Sequence, residues 1–216
     1  MALTLKPVDV TRIEPSGPEA WTVYWNRDFT FLPGQVVALS ILPSGPQRLY
    51  SLSTGRDEKE VGVLFNLAPE GWLTPQLQGV KPGHRIYCSS PFGSFVGFPG
   101  PAVWVANGTG VAPFLSMVLS GLTAGKCLVQ GARTRNQFFG QNLLVPALGD
   151  QYFRCASADS GEGLISGRLT SFLEGRVWPP NQPYYLCGSA AMIVEARDIL
   201  IRRGVPFRNI LSEVYF

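Results

Sequence analysis

The chain has 216 residues, 45% of them hydrophobic and 15% charged, with a formal net charge of +3 at pH 7. That length allows one large domain or two small ones, each with its own core, and the apolar content excludes a disordered chain. The mild positive charge lacks the dense basic stripe of a nucleic-acid binder, so no nucleic-acid partner is expected; it only weakly favours an anionic substrate or an acidic protein partner.

Four cysteines, Cys88, Cys127, Cys155 and Cys187, lie tens of residues apart with no C-x-x-C pair. The pattern is not that of a zinc site or an iron–sulfur cluster, so no metal is expected, and the spacing suits reduced thiols in the cytoplasm. Met1–Lys6 alternates like a strand and no apolar leader core follows, which argues against a signal peptide. No charged residue occurs between Arg85 and Lys126. Pro91, Gly93, Gly97, Pro99, Gly100, Pro101, Gly108 and Gly110 interrupt that run repeatedly, so no membrane span is expected.

In chain order, strands are predicted at Leu3–Leu5, Trp21–Tyr24, Gln35–Leu42, Arg48–Thr54 and Val61–Phe65, separated by Pro33-Gly34, Pro43-Ser44-Gly45-Pro46 and Pro82-Gly83. Short strands at this spacing suggest an antiparallel barrel. A short helix is expected over Thr74–Gln78. The rhythm changes at the Pro/Gly cluster 97–101. Strands at Val103–Ala106, Cys127–Gln130, Tyr152–Cys155 and Tyr184–Cys187 then alternate with helices at Val111–Leu122, Gln137–Leu144 and Arg168–Leu173. A last helix starts at Ser189, a good N-cap, and ends at Arg202-Arg203 before Gly204. This is the βαβ alternation of a parallel sheet.

Two segments carry chemistry. Arg48-Leu49-Tyr50-Ser51 puts a guanidinium, a ring and a hydroxyl on one extended stretch, which suits a charged aromatic cofactor. Gly108-Thr109-Gly110-Val111-Ala112-Pro113 follows an apolar strand and opens a helix, where free backbone N–H groups can face a phosphate. Pro113 stands where a third glycine would complete the usual dinucleotide fingerprint. A chain with both segments points to an oxidoreductase holding an organic redox cofactor and a dinucleotide.

Arg48-x-Tyr50-Ser51, Ser90-Pro91-Phe92-Gly93, Gly108–Pro113, Tyr185-Leu186-Cys187-Gly188-Ser189 and the terminal Glu213-Val214-Tyr215-Phe216 together resemble the bacterial type of the ferredoxin/flavodoxin–NADP⁺ reductase family. The resemblance extends over nearly the whole chain. It implies a flavin-binding antiparallel β-barrel over residues 1–98 and an NAD(P)-binding α/β domain with a parallel sheet over 99–216. Residue by residue, it implies that Arg48 pairs with the flavin pyrophosphate, Tyr50 packs on the isoalloxazine beside Leu49, and Ser51 lies near the flavin N5. Gly71-Trp72-Leu73-Thr74 resembles a second pyrophosphate contact, which favours FAD over FMN, and Phe216 could cover the adenine. Gly108, Thr109 and Gly110 would admit the nicotinamide nucleotide's pyrophosphate. Cys187 matches a cysteine near the nicotinamide C4, Glu213 a carboxylate that closes the active site, and Tyr215 a ring stacked on the flavin's free face.

Arg133 and Arg168 match arginines that take the 2′-phosphate, which favours NADP over NAD. The family's Ser-Arg pair is here Ser157-Ala158, followed by Asp159, with Arg135 as a possible substitute. The partner implied is an acidic one-electron carrier, ferredoxin or flavodoxin. A flavin reductase or oxygenase-linked NAD(P)H reductase on the same scaffold is the alternative, and a non-catalytic nucleotide-binding subunit is the reading from another class. His84 is expected to be a turn residue without a role.

Overall fold

The computed structural model describes residues 3–215. The chain divides into two units. The first runs to Gly97 and takes in Ala112–Gly121; the second comprises Phe98–Val111 and the segment from Leu122 onward. The division falls between Gly97 and Phe98, and the helix after the Gly108–Gly110 turn groups with the strand-rich half.

The first unit contains β1 (Leu5–Gly17), β2 (Ala20–Asn26), β3 (Val36–Ser40), β4 (Arg48–Ser51), β5 (Glu60–Asn66), the short helix α1 (Thr74–Gln78), β6 (Arg85–Ser89) and α2 (Ala112–Leu119). The strands form one antiparallel sheet in the order β4-β3-β6-β1-β2-β5. Its two ends meet just past β4. Leu52 bridges Val63, the Ser53 N–H donates to the Gly62 carbonyl at 2.9 Å, and Thr54 Oγ1 accepts from the Gly62 N–H at 3.2 Å. The sheet therefore closes on itself like a barrel at Leu52–Thr54, which covers its edges at that seam. Gly62 suits this seam because a Cβ there would lie 2.7 Å from the Tyr24 ring.

Inward-facing Val10, Val23, Trp25, Val37, Leu39, Leu52, Val61, Val63, Phe65 and Ile86 fill the interior, each large aliphatic or aromatic side chain contributing about 1.5–3 kcal/mol. Two strands differ from the sequence expectation. β1 is 13 residues long instead of the predicted three, and β6 was not predicted. Pro7, Pro15 and four charged residues obscure the β1 pattern. They are tolerated because its first part pairs with β6 and its later part with β2, across an irregularity between Val10 and Arg12. Helix α2 belongs here by packing: the Phe114 ring lies 6.0 Å from Phe95, and the Arg56 N–H donates to Ser120 Oγ.

The second unit contains β7 (Ala102–Asn107), β8 (Lys126–Ala132), α3 (Gln141–Leu148), β9 (Tyr152–Ala156), β10 (Ile165–Ser166), α4 (Leu169–Glu174), β11 (Tyr184–Ser189), α5 (Ala190–Arg202) and β12 (Ile210–Tyr215). All six strands are parallel, in the order β10-β9-β8-β7-β11-β12. Ala102–Ala106 is buried throughout, as a strand covered on both faces must be. Val103, Val105, Val129, Tyr184 and Leu186 pack with α4 and α5 through Leu169, Leu173, Ile193, Ala196 and Leu200.

The helix predicted over 137–144 is instead a 3₁₀ turn at Arg135–Gln137 and α3, separated by Gly140 at φ +75°. A capping box between Thr134 and Gln137 closes the first piece and leaves the second to start afresh. Lys126 is almost fully buried. Its ammonium donates to the carbonyls of Phe98 and Gly100 and lies 5.8 Å from the Trp104 ring centre, and burial lowers its pKa. Among the described residues no helix is long and apolar enough to cross a membrane.

Gly34 carries a direct test of the first unit. It sits at φ +102°, and a Cβ would fall 2.1 Å from the Phe95 carbonyl oxygen and 2.8 Å from Met117 Cε. Gly34→Ala should destabilise the chain by roughly 1–3 kcal/mol or more, read as a lower urea midpoint; a midpoint equal to wild type would contradict the packing.

Candidate active site

The expected phosphate turn begins where β7 ends. Gly108 takes φ +55° and opens a 3₁₀ turn over Gly108–Val111, a conformation that residues with a Cβ adopt at a cost. Gly110 serves a different need. A Cβ there would lie 2.3 Å from the Cys187 carbonyl oxygen and 2.5 Å from Gly188 Cα, so this glycine lets the turn press against the end of β11. Thr109 is half-buried between them.

β11 and β12 pair in parallel with Cys187 opposite Glu213 and Ser189 opposite Tyr215. Opposed residues of a parallel pair point to the same face, and the face repeats every second residue. Cys187, Glu213 and Tyr215 therefore share one face at the carboxyl edge, away from the core that Tyr184 and Leu186 make with α5. The three side chains are close enough to influence one another: Tyr215 lowers the pKa of the Cys187 thiol and the Glu213 charge raises it. Burial, reinforced by that charge, pushes the Cys187 thiol well above its usual pKa, and Tyr215 only partly offsets this. Cys187 is a neutral thiol at physiological pH and lends shape and a weak dipole, not a nucleophile. Phe216 lies outside the described residues.

The basic positions follow strands at the same edge. Arg133, just after β8, is exposed, and among the described residues its guanidinium has no hydrogen-bond or ion-pair partner. Arg168 precedes α4 and pairs with Glu195 at 2.6 Å. Arg135 is committed elsewhere. Both terminal nitrogens donate to the Glu162 carbonyl at 3.3 Å, while its backbone N–H donates to Asp159 Oδ2 at 2.9 Å. Asp159 also accepts from the Ser160 N–H at 2.7 Å, and these two backbone bonds hold its pKa below the usual carboxylate value. The loops of Arg133, Ser157 and Gly167 are laced by backbone bonds, Ser157 to Ala132, Ala158 to Arg133 and Gly167 to Ala156.

In the first unit, Arg48 and Tyr50 oppose Leu39 and Val37 of β3. Arg48 and Leu49 are exposed, Tyr50 is half-buried against the core, and Ser51 is buried. Desolvation pushes the Tyr50 phenol up to about 12, with the Arg48 charge opposing, so the ring is a neutral packing surface. Gly71 lies in a tight turn whose N–H donates to Ala68, and Leu73 is in the core. The Thr74 hydroxyl is occupied, accepting from the Ala68 N–H at 2.9 Å and donating back to its carbonyl at 3.3 Å. Trp72 reaches the loop before β4, since a Cβ on Gly45 would meet its ring at 3.0 Å. His84 accepts from the Lys81 N–H at 3.1 Å inside a turn.

With the geometry in place, comparison with known proteins is informative. No family model matches the sequence. The naphthalene 1,2-dioxygenase system ferredoxin–NAD(P)⁺ reductase component of Pseudomonas putida is 26% identical over 205 residues, which cover 88% of this chain and 62% of the relative. Ferredoxin–NADP reductase B of Sorangium cellulosum is 29% identical over 213 residues, covering 88% of this chain and 87% of the relative. The chain is thus similar, over most of its length, to members of the ferredoxin–NADP⁺ reductase family. A crystal structure of a ferredoxin NADP⁺ reductase from Neisseria gonorrhoeae with bound FAD and NADP superimposes with a TM-score of 0.86 over 100% of both chains at 18% identity, which supports the fold. The chain spans about three-fifths of the length of several curated relatives it matches.

Sequence reasoning missed the pairing of Asn107 with Ser189. Asn107 Nδ2 donates to Ser189 Oγ at 3.0 Å, and Asn107 Oδ1 accepts from the Ser189 N–H at 2.9 Å. Ser189 does precede α5, as expected of an N-cap, but its hydroxyl makes no capping bond, because Asn107 holds it. The available signal was one amide and one hydroxyl at the ends of two apolar strands.

The buried thiols yield a pH prediction. Burial raises Cys88 and Cys155 to about 12 from a reference of 9.0, and shifts Cys187 in the same direction. Folded-state values above the unfolded ones mean their contribution is intact below pH 9 and is lost as pH rises from 9 towards 12. Urea midpoints should therefore fall between pH 8 and 10.5. Iodoacetamide at pH 8 should alkylate Cys187 in urea and spare it in the folded chain; labelling at the free-thiol rate in buffer would refute the burial.

Proposed function

We propose that this chain is a flavin-dependent reductase that moves electrons between NADP(H) and a ferredoxin or flavodoxin, with FAD as its resident cofactor, in the cytoplasm. The observation that carries this reading is the gathering of Cys187, Glu213 and Tyr215 beside the Gly108–Gly110 turn at the carboxyl edge of the parallel sheet. Open α/β sheets take nucleotides at that edge. A flavin supplies the needed chemistry, accepting a hydride as an electron pair and releasing electrons one at a time.

The residues present fit such a group. In the first unit Arg48 offers an exposed cation for a pyrophosphate, Tyr50 a neutral ring packed from behind by the barrel core, and Ser51 a hydroxyl at the seam. Because the Thr74 hydroxyl and the Gly71 N–H are both held by Ala68, the turn would contribute the backbone N–H groups of the residues after Gly71 to the second phosphate contact. In the second unit the turn from Gly108 receives the nicotinamide nucleotide's pyrophosphate. The neutral Cys187 thiol and the Tyr215 ring shape the nicotinamide's place, and Glu213 supplies a carboxylate that can hold a proton beside it. Arg133 takes the 2′-phosphate, joined by Arg168 when it leaves Glu195. An oxygenase-linked reductase is the second reading, favoured by relatives that are components of dioxygenase and monooxygenase systems.

Two measurements test this. The purified chain should be yellow, bind FAD, and lose its visible absorbance on anaerobic addition of NADPH; a colourless chain that takes up no flavin would overturn the proposal. Arg133→Ala should lower kcat/KM for NADPH by roughly tenfold or more with little change for NADH, since a charged contact is worth about 1.5–3 kcal/mol. Equal losses for the two nucleotides would remove Arg133 from the phosphate site.

A further inference from the structure

At the carboxyl edge of the second unit, one side chain organises another with both of its polar atoms. Asn107, the last residue of β7, accepts from the backbone N–H of Ser189 and donates to its hydroxyl oxygen. The arrangement leaves no slack. Gly188 sits at φ +141°, and a Cβ there would fall 1.9 Å from Asn107 Oδ1, so the amide lies flat against the end of β11.

The consequence concerns a proton. A hydroxyl has one donor and two acceptor sites. With a Ser189 acceptor site filled by the amide, its O–H must point away from Asn107, and Ser189 is exposed. Among the described residues that proton has no acceptor. A hydroxyl that accepts a hydrogen bond is also polarised into a better donor. The edge therefore presents an aimed neutral donor next to Tyr215 and two residues beyond Cys187, about 6.6 Å along the strand.

We propose that Asn107 is a positioning residue that aims the Ser189 hydroxyl as a hydrogen-bond donor to the carboxamide oxygen of the nicotinamide. This rests on the reading that the nicotinamide lies over Cys187. From there the ring, its carboxamide and one hydrogen bond reach the Ser189 oxygen. A neutral donor matches an amide oxygen, and a neighbouring amide fixes its direction without adding charge close to Glu213.

The test separates this from the reading beneath it. Titration calorimetry on the flavin-loaded chain would compare NADP⁺ with 2′-phospho-ADP-ribose, which keeps the phosphates and lacks the nicotinamide. Ser189→Ala removes the donor. Asn107→Asp keeps the acceptor for the Ser189 N–H but replaces the amide donor with an oxygen, so the hydroxyl turns inward to donate to it. Each variant should weaken NADP⁺ relative to 2′-phospho-ADP-ribose by about three- to tenfold, the effect of one hydrogen bond. The double variant should be no weaker in that ratio than either single one.

Because 2′-phospho-ADP-ribose reports any general repulsion by the new carboxylate, the ratio isolates the carboxamide. If wild type binds neither ligand, the nucleotide reading itself fails. Should wild type bind both and Ser189→Ala leave the ratio unchanged, the proposal fails while that reading stands. Ser189 is exposed, so this variant decides the matter alone if Asn107→Asp does not fold.

Discussion

No side chain fits between the Gly108–Val111 turn and the end of β11, and the carboxyl edge of the second unit is arranged around that contact. Gly110 meets the Cys187 carbonyl and Gly188 meets the Asn107 amide, both at distances that exclude a Cβ. Two glycines facing from opposite sides bring the backbones together, and packed interiors do not relax around an added methyl without cost. The register of β11 against β12 then places Glu213 and Tyr215 beside Cys187. Pairing in a parallel sheet fixes this neighbourhood more firmly than any single side-chain bond.

The first unit solves a different problem with the same economy. Its sheet must close, and it does so where β4 gives way to Leu52–Thr54 and crosses to β5. Closure occupies the backbone beyond Ser51 and leaves Arg48–Ser51 with β3 on one side only. The residues proposed to meet a flavin therefore sit on the strand that ends at the seam, where the interior is packed by Val37, Leu39 and Leu52. Such a platform is rigid from behind and accessible in front, as recognition of a planar ring needs.

Much of this was legible in the sequence. The change from strand-rich to alternating rhythm at the Pro/Gly cluster 97–101 lies beside the Gly97/Phe98 division, but no such change in rhythm marks Ala112–Gly121, which groups with the first unit. β7, β8, β9 and β11 are apolar runs whose burial explains their legibility. β1 and β6 were less visible, because strands that carry charges on a solvated face and prolines at irregular positions lose their alternation. β12 was seen only as a terminal motif, since its half-buried residues give no apolar run. The gathering of Cys187 with Glu213 depends on register between strands some twenty residues apart, and the Asn107–Ser189 clasp on a crossing of 82 positions. Neither has a local signature.

Charge at the carboxyl edge follows the same division between local pattern and tertiary outcome. Three arginines, Arg133, Arg135 and Arg168, look equivalent in sequence, yet the fold gives each a separate task. Arg135 is spent on the Glu162 carbonyl and, through its backbone, on Asp159, so it holds the loop and cannot stand in for a missing phosphate ligand without releasing it. Arg168 is held by an exposed pair with Glu195, and surface pairs of this kind are worth only ~0–1 kcal/mol. A dianionic phosphate would outcompete one carboxylate for that guanidinium at little cost. Arg133 bears no such cost, because among the described residues its guanidinium has no partner to leave. Opposing both is Asp159, kept ionised by two backbone donors. Among the described residues this edge offers one unpartnered cation, one readily released cation and one fixed anion, which suits the proposed 2′-phosphate contact without clamping it. On the proposed reading, discrimination between the two nicotinamide nucleotides rests on the difference between these terms, not on any single arginine.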